Sequence, residues 1–144
     1  MMERILYKLP LVIVRYIMKY TYMPQSPRLL EDIRNYHESK KSVCSLYYNL
    51  FIVQMNEMPL KYKTWLVNDL ISHMNYHQPT TNGYIYSFYY NFFRKYGMDT
   101  PEKVDRFLEI MENKTPESQI NILWSLMYPL ERKNYIDKYS KIMM

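Results

Sequence analysis

The chain has 144 residues, 48% of them apolar and 23% charged, with a net charge of +5; this is the balance of a globular protein and excludes intrinsic disorder. One domain of this length buries a core without help from disulfides or a metal. The single cysteine, Cys44, excludes an internal disulfide framework and suits a reducing, intracellular setting.

The most apolar run is Leu9-Pro10-Leu11-Val12-Ile13-Val14-Arg15-Tyr16-Ile17-Met18-Lys19-Tyr20. Leu9, Ile13, Ile17 and Tyr20 recur at helical spacing, Val12 and Tyr16 widen the apolar face, and Pro10 stands near the start, where a helix tolerates it. Arg15 and Lys19 interrupt the run, and it is too short to span a bilayer. It does not read as a secretory signal either, since no small-residue cleavage site follows it. A helix this apolar needs cover, so the expectation is that it sits at the centre of the fold with the other helices over it.

A turn at residues 21–25 leads to Ser26-Pro27, an N-cap with proline at the first helical position. Leu29, Leu30, Ile33 and His37 then mark an inward face. The pattern lapses at residues 39–42 and resumes with Val43, Leu46, Tyr47, Leu50 and Phe51, as one long helix or two abutting ones. After a break at residues 56–59, Trp65, Leu66, Leu70 and Met74 give another amphipathic helix, which should end near Gln78-Pro79. Residues 84–96 hold eight aromatics in thirteen positions. They read as a helix stopped by a left-handed cap at Gly97, with a strand as the minority alternative. Thr100-Pro101-Glu102 and Thr115-Pro116-Glu117 are one helix-starting device used twice: a threonine cap, a proline in the first turn and an acid beside it. Val104, Phe107, Leu108 and Met111 line the first of these helices; Ile120, Leu123, Trp124 and Met127 line the second. Pro129 starts a last helix with Leu130, Ile136 and Tyr139 inward. The prediction is an all-α fold: one domain over 1–144, a bundle of six to eight helices with short connections.

Charge is uneven. Residues 1–96 carry 12 basic and 6 acidic side chains, whereas residues 97–144 carry 7 and 8. Lys40, Lys41, Lys61, Lys63, Arg94 and Lys95 are the residues that would meet a polyanion. They are scattered pairs and not a dense cluster, so a solvated surface is the favoured reading and a weak nucleic-acid contact the lesser one. The chain has no alanine, 17 tyrosines, 12 isoleucines and 10 asparagines, the usage of an AT-rich genome. Aromatic clusters therefore carry little weight as binding signals.

Catalytic patterns are missing. Two glycines, Gly83 and Gly97, cannot build a phosphate loop. Cys44 lies between apolar neighbours, where a thiol is inert. His37 with Cys44, and His73 with His77, are the one combination that could supply four zinc ligands from two helices, but their spacing matches no zinc knuckle. The expectation is a chain without cofactor or metal and without enzymatic activity.

Leu9-Pro10, followed by Ile13, Ile17 and Tyr20, resembles the opening of an F-box, and Val43-Cys44-Ser45-Leu46-Tyr47 resembles the element that closes one. The stretch 9–50 as a whole is similar to small uncharacterised proteins of large nucleocytoplasmic DNA viruses that carry F-box-like openings, and the codon skew agrees. The resemblance does not reach residues 60–144. It implies a viral protein-interaction module in the host cytoplasm, with Leu9, Pro10, Ile13 and Ile17 docking a Skp1-like adaptor. The alternative is a structural component of a virion in contact with other virion proteins. Neither reading involves a membrane.

Overall fold

A computed structural model describes residues 10–21, 25–56 and 61–143. The protein is all-α. Among the described residues there are seven α-helices and no strand: α1 (Leu11–Thr21), α2 (Pro27–Tyr48), α3 (Lys61–Met74), α4 (Tyr86–Tyr96), α5 (Pro101–Glu112), α6 (Pro116–Ser125) and α7 (Pro129–Met143). A π-helical turn, Asn49–Gln54, continues α2, and a short 3-10 turn, Thr80–Asn82, precedes α4. The chain divides into two compact units, residues 1–31 and residues 32–144. No helix among the described residues is long and apolar enough to cross a membrane.

In residues 1–31, the Pro10 carbonyl accepts from the amides of Ile13 and Val14 at 3.0 and 3.1 Å and starts α1. The start of α2 follows the sequence: Ser26 Oγ accepts from the Leu29 amide at 3.2 Å, with Pro27 at the first position. Leu9 and the turn at residues 22–24 lie outside the described residues. The expectation that the first helix is the covered centre of the fold is not met. Leu11, Val12 and Tyr16 are 65%, 79% and 62% exposed, and no described side chain of α1 belongs to the buried core. Apolar content made α1 look central, but a place in the core is decided by tertiary partners, and the aromatic side chains of the later helices fill that place.

The core of residues 32–144 is built around Trp124, which is fully buried together with Tyr47, Leu66, Leu70, Phe88, Phe92, Ile120, Leu123 and Tyr135. The pair α3 and α6 makes the broadest helix contact, with Leu66, Val67, Leu70 and Met74 on one side and Ile120, Leu123 and Trp124 on the other. Local chemistry fixes the helix ends. Thr100 Oγ1 accepts from the Lys103 amide at 3.4 Å and Thr115 Oγ1 from the Ser118 amide at 3.3 Å, with a proline opening each helix. Gly97 takes φ +63° and caps α4, a conformation that costs a residue without Cβ little. The minority strand reading of residues 84–96 is thereby set aside.

Helix α3 ends at Met74, short of Gln78-Pro79. The reason is Asn75, which is fully buried. Its Nδ2 donates to the Gln78 carbonyl at 3.0 Å and its Oδ1 accepts from the Ile85 amide at 2.9 Å. These bonds satisfy loop groups that a continuing helix would leave unpaired. Tyr76 and His77 follow with φ +50° and +60°, left-handed values that are uncommon outside glycine.

Helix α2 turns a different face inward from the one its leucines mark. Leu29, Leu30, Ile33 and His37 are exposed. Asp32, Asn35, Tyr36, Ser39, Val43 and Tyr47, at spacings of three and four, point to the core partners. Arg132 is 1% exposed; its Nη1 donates to Asp32 Oδ1 at 2.8 Å and Asn35 Oδ1 at 3.0 Å, and its Nε to the Trp124 carbonyl at 3.2 Å. Trp124 Nε1 donates to Ser39 Oγ at 2.9 Å, and Tyr36 Oη to Asn121 Oδ1 at 3.2 Å. In the lapse at residues 39–42, Ser39 pairs across the interface while Lys41 and Ser42 are exposed, and α2 runs through it as one helix. In α7, Tyr139 is buried and Ile136 packs on the core as their spacing predicts, whereas Leu130 is 67% exposed and Arg132 and Tyr135 are buried.

Arg132→Ala removes one partner of a buried pair and should cost roughly 3 kcal/mol in urea denaturation. Leu130→Ala, the change that apolar content alone would rank as worse, should cost less than about 0.5 kcal/mol. Equal losses would contradict this arrangement.

Candidate functional site

Of the four residues that an F-box-like contact would use, Leu9 lies outside the described residues and Pro10, Ile13 and Ile17 are exposed. Ile13 and Ile17 are the lesser part of what α1 presents: Leu11, Val12 and Tyr16 are more open to solvent. The sequence marks Val12 and Tyr16 only as widening an inward face and gives Leu11 no place on it.

The cations expected to meet a polyanion are mostly paired with carboxylates. Lys40 and Lys63 reach the two oxygens of Glu117 at 2.7 and 2.8 Å. Hydrogen bonds from Lys40 and then Lys63 hold the Glu117 carboxyl down to about 2. Arg94 grips Glu131 with both terminal nitrogens, Nη1 to Oε1 at 2.7 Å and Nη2 to Oε2. Lys95 reaches Asp32 at 3.0 Å. Lys41 and Lys61 lie at the surface. The structure therefore does not gather these six cations into one open basic surface.

The histidines and the cysteine fall into two places. His37 and Cys44 line a cavity of about 280 Å³ beside Lys40, Lys63 and Glu117, where burial pushes the Cys44 thiol up. His73 and His77, with ring centroids 6.3 Å apart, line a separate cleft of about 600 Å³. Among the described residues no group of three or more His, Cys, Asp or Glu is placed to hold a metal ion.

That larger cleft is walled by the end of α3, by α4 and by α7. His77 Nε2 lies 3.1 Å from Lys138 Nζ, and its Nδ1 lies 3.1 Å from Ser72 Oγ. His73 is pushed down to about 4, first by burial and then by Lys138 and His77. Tyr86 and Tyr90 stand on the α4 wall with ring centroids 6.4 Å apart, both exposed. Sequence reasoning found the two histidines through their one-turn spacing. Lys138 and Glu131 lie more than fifty residues along the chain and carry no local signal of their place here.

His73 takes a proton near 6.5 in the unfolded chain and near 4 in the folded one, so the unfolded state binds more protons in between and stability falls as pH falls through that window. His73→Gln should flatten this fall, read as unfolding free energy against pH. Glu117 behaves as a depressed carboxylate: its contribution is complete above about 4.5 and is lost as pH drops towards 2. Glu117→Gln should therefore be less stable than the parent near neutrality, with the gap closing across that range. A gap independent of pH would contradict the pairing with Lys40 and Lys63. No family model, curated protein or solved structure matches the chain, so no relative's activity carries over to it.

Proposed function

We propose that this chain is a non-enzymatic protein-contact module that works through α1, in the manner of an F-box-like adaptor in a virus-infected cell. The observation that carries the reading is the apolar surface of α1, where Leu11, Val12 and Ile13 are 65%, 79% and 45% exposed. Contiguous exposed apolar surface marks contact with another surface. Large apolar side chains on helical spacing suit a groove on a partner protein. The F-box-like Leu9-Pro10 pair that precedes α1 in the sequence supports a Skp1-like adaptor as that partner. The pairing of Lys40, Lys63, Arg94 and Lys95 with carboxylates favours a protein partner over a polyanion.

The test is capture of the purified chain by an immobilised Skp1-like adaptor. The parent chain should be retained. Val12→Asp and Ile13→Asp should keep the helical circular-dichroism signal and lose most of the retention, because both positions are exposed in the free protein. Failure of the parent chain to bind ends the adaptor reading, and loss of fold in both variants would mean that α1 is structural.

A further inference from the structure

We infer that the cleft walled by α3, α4 and α7 is a binding site for a mononucleotide, with the base on the α4 tyrosines and the phosphate towards Lys138 and Arg94. Among the described residues, two buried side-chain nitrogens have no hydrogen-bond partner: His73 Nδ1 and Arg94 Nε. Both belong to residues lining this one cleft. Buried polar atoms are nearly always satisfied, so two orphans in residues that line one concavity set this cleft apart among the described residues. The cleft volume of about 600 Å³ is that of a small-molecule site.

The lining selects the ligand's chemistry. Arg94 and Glu131 cancel in charge, and Lys138, whose Nζ lies 3.1 Å from His77 Nε2, adds a positive charge to the lining. The ammonium protons of Lys138, an exposed side chain, suit a group with several acceptor oxygens, as a phosphate has. Tyr86 is 73% exposed and Tyr90 half exposed. They stand one helical turn apart on the same wall as Arg94, and a flat ring stacks on such exposed faces beside a cation. The site needs nothing from α1, so its failure and the failure of the adaptor reading are separate events.

Isothermal titration calorimetry of the full chain with adenosine monophosphate, uridine monophosphate, adenosine and inorganic phosphate tests the assignment. The nucleotides should saturate one site, with the purine tighter, and adenosine and phosphate should each bind at least about tenfold more weakly. Tyr86→Ala and Lys138→Gln, both surface changes, should each weaken the nucleotide about tenfold without altering thermal unfolding. The His73 ring resonances should shift on saturation. Absence of binding by both nucleotides would overturn the proposal. So would phosphate binding as tightly as the nucleotides, or binding that neither substitution weakens.

Discussion

A fully buried arginine organises residues 32–144. Removing a guanidinium from water costs several kcal/mol unless its donors are met, and Arg132 meets them with Asp32, Asn35 and the Trp124 carbonyl, while the Tyr36 ring lies 5.4 Å from its carbon centre. That requirement sets the rotation of α2 about its own axis: its polar stripe faces α7, Ile33 turns out and Leu46 packs on the core. Lys95 adds a second cation to Asp32, and against the burial that would raise it the carboxyl is held below its usual range. Trp124, whose carbonyl serves Arg132 and whose indole serves Ser39, is thereby fixed in the centre of the apolar core.

Beside this polar seam runs a second one. Tyr47 Oη donates to Asp69 Oδ2 at 2.6 Å and lies 2.8 Å from Tyr135 Oη, and burial pushes the hydroxyl of Tyr47 far above its usual range. The Tyr135 ring stacks on Tyr139 and meets Trp124 edge-on. Large rings with one polar atom each fill volume while their hydroxyls find partners. A chain without alanine, and with glycine kept for turns, thus sets six large aromatic and three methionine side chains among the Val, Leu and Ile of its core.

Helix ends were legible in the sequence because the chemistry that makes them is local. Ser26-Pro27, Thr100-Pro101, Thr115-Pro116 and Gly97 act within three residues of themselves. The faces of α5 and α6 were legible too, since their inward residues are apolar and periodic. Those of α2 and α7 were legible in part: Val43, Leu46 and Tyr47, and Ile136 and Tyr139, face the core as their spacing says, while Leu29, Leu30, Ile33 and Leu130 do not. A periodicity argument counts leucine as inward and arginine as outward, and here a pairing across about a hundred residues reverses both. The exposure of α1 escaped for the same reason: local composition says how much apolar surface a helix has, not whether a partner is there to cover it. The cleft beside His73 was half legible, its histidines from spacing and its lysine not at all.

The central claim is that the Arg132–Asp32 contact, and not apolar patterning, sets how α2 sits on the core. A double-mutant cycle with Arg132→Met, Asp32→Asn and the pair, read by urea unfolding, measures that contact directly. The account predicts a coupling of about 2 kcal/mol, with the double variant less damaged than the sum of the single ones. Additivity to within about 0.5 kcal/mol would mean that the two side chains act independently and would contradict it.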